Sequence, residues 1–252
     1  MPRFCANLTF LFTELPLLQR IRAAGAAGFS AVEILFPYDE PAAAIAEELR
    51  LNAMKLALIN TPPPNWTGGD RGFAAIPGGE ARFRSDFERA LRFAHVLKPK
   101  HLHIMAGRAE GPEARATYLR NLAWAAGRAP GQSLTIEPIN PQDMPGYFLA
   151  DFPLALDILD EIGAPNLRLQ FDAYHAHLIH GDVAATWEAC AARVAHVQIA
   201  GAPGRHEPEG GEIDYPAFFA ALDAAGYAGW VSGEYQPAAR TGDGLGWIAG
   251  GS

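Results

Sequence analysis

Leu167-Arg168-Leu169-Gln170-Phe171-Asp172 is the stretch on which the fold turns. Successive side chains of a strand point to opposite faces. Leu167, Leu169 and Phe171 therefore share one face, and Arg168, Gln170 and Asp172 the other. A parallel strand covered on both sides should read as a nearly unbroken apolar run. Here one face is apolar and the other is polar, with an acid at its C-terminal tip. A closed barrel accommodates both, because one face packs on the surrounding helices while the other points inward. The alternation recurs along the chain. Val197 and Ile199 oppose His196 and Gln198, Leu134 and Ile136 oppose Thr135 and Glu137, Leu102 and Ile104 oppose His101 and His103, and Ser232 aligns with Glu234.

Working outward, strands are expected at about 3–9, 31–35, 53–59, 101–105, 133–136, 167–171, 195–199 and 229–233. Helical patterns lie near 15–27, 40–51, 80–97, 112–127, 151–163, 181–193 and 214–225. Strands alternating with helices imply right-handed parallel βα units. Eight such strands in 252 residues predict an α/β fold, a (β/α)8 TIM barrel spanning 1–252 as a single domain. Asp151 is an N-cap candidate for the helix that follows, and Gly163 and Gly226 sit where helices should stop. After the eighth strand only Arg240-Thr241-Gly242-Asp243-Gly244-Leu245-Gly246-Trp247 and a few residues remain, so the eighth helix is expected to be short or missing. The long loop from Asn60 to Gly79 is a pocket-wall candidate. Trp66 and Trp247 are candidates for the same wall.

Composition narrows the function. With 49% apolar and 19% charged residues the chain is neither disordered nor fibrous. A net charge of −8 argues against nucleic acid as the partner. Cys5 and Cys190 are too far apart in sequence to suggest a metal or disulfide framework, so a reducing, cytoplasmic setting is expected. The apolar N-terminal stretch is interrupted by Asn7, Thr9 and Glu14, and no run of 18 apolar residues reads as a membrane span.

Glu137, Asp172, Gln198 and Glu234 stand at the tips of strands five to eight. All four offer oxygen donors. Unpaired buried carboxylates are costly, and an oxygen-rich site suits Mg²⁺ or Mn²⁺ better than zinc or copper. Strand-end polar groups paired with arginines or loop amides explain the same pattern equally well. His101 and His103 precede the tip of strand four and read as barrel-interior packing. Glu33 faces inward by parity, as a structural ion pair or a substrate contact.

The chain resembles the hydroxypyruvate isomerase group of the xylose-isomerase-like TIM barrels. The resemblance is carried by Phe4-Cys5-Ala6-Asn7-Leu8-Thr9, Leu11-Phe12-Thr13-Glu14-Leu15-Pro16, Ala31-Val32-Glu33-Ile34-Leu35-Phe36-Pro37-Tyr38 and Asn65-Trp66-Thr67-Gly68-Gly69-Asp70-Arg71-Gly72. It continues through Ile136-Glu137-Pro138-Ile139-Asn140, Gln170-Phe171-Asp172-Ala173-Tyr174-His175, the stretch from His196 to Pro208, and Gly229 to Pro237. It implies a divalent metal on Glu137, Asp172, Gln198 and Glu234, with Glu137 and Glu234 as the acid–base pair. His175 is implied as a substrate-oxygen contact, against a loop histidine capping a helix. Arg205 is the candidate clamp for a substrate carboxylate, since a guanidinium fork matches it bidentately. Its bland alternative is a solvated charge partnered with Glu207 or Glu209. Arg71 is a second candidate for the clamp.

The implied reaction interconverts hydroxypyruvate and tartronate semialdehyde. Isomerisation of 2-oxo-tetronate is the nearest rival. Metal-dependent phosphodiester hydrolysis, as in endonucleases, and non-catalytic binding of a sugar acid are the rivals of other classes. A homo-oligomer is left open by the short C-terminal end.

Overall fold

The computed structural model describes residues 2–62 and 71–249. The strands are β1 (Arg3–Asn7), β2 (Ala31–Glu33), β3 (Lys55–Leu56), β4 (Leu58–Asn60), β5 (His101–His103), β6 (Ser133–Ile136), β7 (Leu167–Asp172), β8 (Val194–Ile199) and β9 (Trp230–Gly233). The helices are α1 (Leu17–Ala26), α2 (Ala42–Leu51), α3 (Glu80–Leu97), α4 (Gly111–Arg128), α5 (Phe152–Ile162), α6 (Ala173–His180), α7 (Val183–Cys190), α8 (Tyr215–Ala224) and α9 (Gly246–Ala249).

All strand pairs are parallel, in the order β3-β2-β1-β9-β8-β7-β6-β5-β4. Residues 53–59, expected as one strand, are split between β3, on β2, and β4, on β5. Ala57 joins the two. Its amide donates to Val32 O at 2.8 Å, and its carbonyl accepts from the His101 amide at 2.9 Å. The two pieces thus form one stave bonded on both sides, and the barrel closes through it.

The two faces of β7 separate as the alternation requires. Phe171 packs outward between Phe152, Trp187 and Phe218, with ring centroids 5.3, 5.4 and 5.8 Å away. Such a fully buried side chain contributes about 1.5–3 kcal/mol. Inside the barrel, Asn7, Glu33, Thr135, Gln170, His196 and Gln198 are all fully buried. A buried polar group must find partners, and these largely find one another.

Several local expectations are revised. Ala173–His180 folds as α6, a helix that weak amphipathicity hid in the sequence, and the expected 181–193 helix shortens to α7 plus a 3-10 turn at Ala191–Arg193. Asp151 occupies the N-cap position of α5, but its side chain caps nothing. Its carboxylate lies 3.3 Å from His180 Nε2 instead. Gly163 ends α5 at φ 62°, as expected. The eighth helix is reduced to a 3-10 turn, Thr241–Gly244, and the four-residue α9. Trp247 is buried in the core; it packs on Phe4 at 4.9 Å and donates its indole N–H to Tyr235 Oη at 3.0 Å. Trp66 and residues 63–70 lie outside the described residues. Both cysteines are buried and free. Among the described residues no helix is long and apolar enough to cross a membrane.

Candidate active site

The C-terminal ends of the last four strands deliver the chemistry. Glu137 follows β6, Asp172 ends β7, Gln198 lies near the end of β8 and Glu234 follows β9. Asp172 is also the N-cap of α6, accepting from the Tyr174 amide at 2.9 Å. That turn sets His175 in the first turn of α6, directly above the acid. Arg205 comes from the loop after β8 in a left-handed conformation, φ 54°, which a non-glycine residue adopts at a cost. The Gln236 amide holds it there through Arg205 O at 2.9 Å. The barrel mouth encloses a cavity of about 510 Å³ lined by Glu137, Glu234, His175, Arg205, His103 and Gln170 among others. Asp172 and Gln198 are fully buried beside it, bonded to the lining residues Arg205 and Glu234.

Arg205 bridges the acids. One guanidinium nitrogen, Nη2, lies 2.8 Å from Glu234 Oε1 and 3.4 Å from Asp172 Oδ2. The other, Nη1, lies 3.6 Å from Asp143 Oδ2, and the rings of Tyr174 and Phe10 flank the group at 5.1 and 5.6 Å. Glu234 Oε2 accepts from Asn7 Nδ2 at 2.8 Å and from Gln198 Nε2. The same two amides reach Glu33 Oε1 at 3.0 and 2.6 Å. Gln198 Oε1 accepts from Gln170 Nε2 at 2.7 Å, and Gln170 Oε1 from the Thr135 hydroxyl at 3.1 Å. His196 Nε2 sits 2.7 Å from Glu33 Oε2.

Hydrogen-bond logic fixes the role of His175. The Asp143 amide donates to Asn140 Oδ1 at 2.9 Å, so Asn140 turns its Nδ2 to His175 Nδ1, 2.7 Å away. Nδ1 must then accept, and burial together with the nearby Arg205 charge pushes the ring well below its ordinary pKa, so it is neutral. Its one proton is then on Nε2, which lies 3.6 Å from Asp172 Oδ2 and 3.5 Å from Arg205 Nη2. Possible ligand atoms of Glu137, Asp172 and His175 all lie within 4.8 Å of one another, a spacing one ion can span. The tautomer makes the histidine a donor there and leaves carboxylates as the ligands.

Burial governs the electrostatics. It pushes the Glu137 and Glu234 carboxyls well above their ordinary range; Glu234 adds repulsion at Glu137, and Arg205 partly offsets the rise at both. Asp172 is raised by burial too, against the opposing pull of Arg205 and two backbone amides. Burial lifts Glu33 to about 7. Burial opposes the Arg205 charge, but Glu234, Asp172, Glu137 and Asp143 outweigh it and hold the guanidinium above its usual value. Glu137 Oε1 is buried without a hydrogen-bond partner among the described residues. Three buried carboxylates therefore share one guanidinium, and an oxygen of one is unsatisfied. That deficit of positive charge fits a hard divalent cation held by oxygen.

The structure brings Glu137, Asp172, His175, Arg205 and Glu234 around one cavity. Gln198 is beside them with its amide nitrogen, not its oxygen, toward Glu234. Arg205 is bound among the acids and is not a solvated charge on Glu207 or Glu209. His101 stays in the interior, but His103 ends β5, lines the cavity and comes within 3.8 Å of Glu137, a correction to its reading as packing. Glu33 is bound by interior amides and a histidine. Arg71 lines the cavity. Sequence reasoning missed Asn140, Asp143, Tyr174 and Asn7. Asn140 stood three residues after Glu137, a spacing that marks a common turn; Asp143 and Tyr174 carried no signal before the loop and helix were placed.

A family profile described as xylose isomerase-like TIM barrel matches residues 21–250. A protein of Cupriavidus necator named 2-oxo-tetronate isomerase is 48% identical over 98% of either chain. One of Escherichia coli named hydroxypyruvate isomerase is 37% identical over 98% of either chain. A solved structure from Brucella melitensis, named AP endonuclease, family 2, superposes with a TM-score of 0.96 at 43% identity, covering 99% of both chains.

Proposed function

The chain belongs to the xylose isomerase-like TIM barrel family and is an isomerase like its named relatives; from that premise we propose that it acts on a short 2-oxo-3-hydroxy acid, moving the carbonyl from C2 to C3. Hydroxypyruvate and 2-oxo-tetronate both fit this description and differ by one CH₂OH group. The four-carbon acid is preferred, because the relative at 48% identity carries that name and the cavity of about 510 Å³ has room for the extra carbon. Hydroxypyruvate is the second reading, supported by the relative at 37% identity.

The observation that carries the proposal is the pair of buried acids, Glu137 and Glu234, that line one cavity with raised proton affinity. A carboxyl with raised proton affinity takes a proton from carbon more readily than an ordinary one and can return it. One glutamate removes the proton from C3, a proton is delivered to C2, and the hydroxyl proton passes from the C3 oxygen to the C2 oxygen, so the carbonyl moves and the atoms balance. His175 donates Nε2–H to a substrate oxygen as charge builds on it. Arg205 takes the substrate carboxylate side-on. Glu137, Asp172 and Glu234 would hold Mg²⁺ or Mn²⁺, which supplies polarisation of the carbonyl oxygen. Gln198 would join them by turning its amide over. Gln170 can turn with it, since the Thr135 hydroxyl accepts as readily as it donates. The turn gives up the Gln198 bonds to Glu33 and Glu234, which the ion has to outweigh.

The nuclease reading raised by the name of the Brucella melitensis neighbour has no electrostatic footprint here. The net charge is −8 and acids dominate the mouth, which opposes a polyanion.

The test is a panel of three- and four-carbon oxo acids on metal-stripped protein with Mg²⁺ or Mn²⁺ restored. The expected outcome is ion-dependent isomerisation with higher kcat/KM for 2-oxo-tetronate. A preference for hydroxypyruvate installs the second reading, and no isomerisation of any member ends both.

A further inference from the structure

The guanidinium of Arg205 sits where two of the proposed ion ligands converge, and that position has a consequence for binding order. Its Nη2 is within 2.8 Å of Glu234 Oε1 and 3.4 Å of Asp172 Oδ2. A dication and a guanidinium compete for the same carboxylate oxygens, because each carries hydrogen-bonding or coordinating demand for the same lone pairs. We propose that Arg205 is a resident counter-ion which the divalent ion displaces, so that ion binding releases the clamp for the substrate carboxylate. This rests on the metal-assisted reading above.

Three features of the site support the exchange. The far side of the guanidinium is already anchored: Nη1 lies 3.6 Å from Asp143 Oδ2, and the Tyr174 and Phe10 rings lie at 5.1 and 5.6 Å, contacts that do not depend on Glu234 or Asp172. A guanidinium is at home on both a carboxylate and an aromatic face. The present seat is incomplete, for Arg205 Nε is buried with no hydrogen-bond partner among the described residues. A carboxylate bound side-on across Nε and one NH2 group would satisfy it. Finally, Arg205 touches Glu234 and Asp172 but leaves Glu137 Oε1 without a hydrogen-bond partner among the described residues, and a dication makes up the difference. The ion therefore binds first and the acid second, with Arg205 giving up Glu234 and Asp172 while it keeps Asp143 and takes the incoming carboxylate.

The test measures ion affinity, not turnover. Mn²⁺ is titrated by calorimetry into metal-stripped wild type, Arg205→Met and Arg71→Met, the last removing an equal charge from the cavity wall. Removing the competitor should tighten Mn²⁺ binding about 5- to 100-fold in Arg205→Met, the usual span of a coupled pair of sites. Arg71→Met, the same change of charge at the cavity wall, should stay within about threefold of wild type. Equal or weaker binding in Arg205→Met overturns the proposal, as does an equal gain in both variants. If Arg205→Met fails to fold, the wild-type protein crystallised with Mn²⁺ decides: a guanidinium still bonded to Glu234 beside the ion refutes displacement. Absence of any Mn²⁺ binding in wild type and Arg205→Met alike brings down the metal-assisted reading, and the exchange with it.

Discussion

Glu234 divides its two oxygens between two kinds of partner. Oε1 takes the Arg205 charge at 2.8 Å, while Oε2 takes neutral amides from Asn7 and Gln198. Replacing it by glutamine keeps the shape and removes the proton traffic. Glu234→Gln is expected to lower kcat/KM by about 10²–10⁴-fold, with the circular dichroism spectrum unchanged; near-normal turnover would remove it from the acid–base pair. The buried titratable groups also set a pH dependence for the metal-free protein. Burial depresses His103 and His196 to about 3 and His101 to about 2. The unfolded chain therefore binds more protons below about 6.5, and stability from these groups rises with pH up to that point. Glu33, lifted to about 7, works the other way: the folded chain holds a proton that the unfolded chain has lost, so stability falls as pH climbs from about 4.5 through 7. Above about 6.5 only the carboxyl effect is left. Thermal melts of chelator-treated protein should show a falling Tm from pH 6.5 to 8, and added Mg²⁺ or Mn²⁺ should flatten it. A Tm that rises over this range would mean the acids are paired by something else. At this scale the sequence exposed Glu137, Asp172, Gln198 and Glu234 through period-two parity, but not Asn140, whose importance comes from the tautomer it imposes on a histidine 35 residues away.

The elements that shape the cavity are held by close backbone approaches as much as by side-chain packing. Gly72 bridges Ala106 in antiparallel fashion just beyond β5, at φ 97°, and a Cβ there would strike the Met105 carbonyl. Gly107 lies at φ 92°, and a Cβ on it would meet Gly72 O. No L side chain suits either position, so the segment that carries Arg71 can lie flat on the barrel rim only with glycine at both. Gly107→Ala should cost about 1–3 kcal/mol in urea denaturation and raise KM more than it lowers kcat, because it displaces a cavity wall and not the acids. An unchanged KM would place the pair outside substrate binding. Strand and helix order were legible because alternation and helical period are local properties of the chain. The split of the third stave at Ala57 was not, since it depends on which neighbour each amide meets. Helix α6 escaped for a related reason. Ala173, Tyr174, His175 and Ala176 are all buried on a barrel mouth, so the segment shows no polar face to alternate with.

For the molecule as a whole, closure of the barrel is the property that makes a site. Where an eighth helix would cover the seam between β9 and β1, Trp247 does so from α9, packed on Phe4 and on Tyr235 at 4.9 and 6.1 Å. Trp247→Ala should therefore cost about 3–5 kcal/mol, read as a lower midpoint in chemical denaturation; a loss under about 1 kcal/mol would show that the seam is covered by other groups. The sequence by itself determined the barrel, the inward polar face and the acids at its C-terminal rim, because each follows from the period of two along single strands. Only the tertiary structure decided which of those polar groups face one another: that Arg205 lies between Asp172 and Glu234, that His175 is a donor, and that Gln198 shows the acids its nitrogen. Such pairings join residues tens of positions apart, and they are selected by the need to satisfy every polar atom removed from water, a condition no local stretch of chain can express.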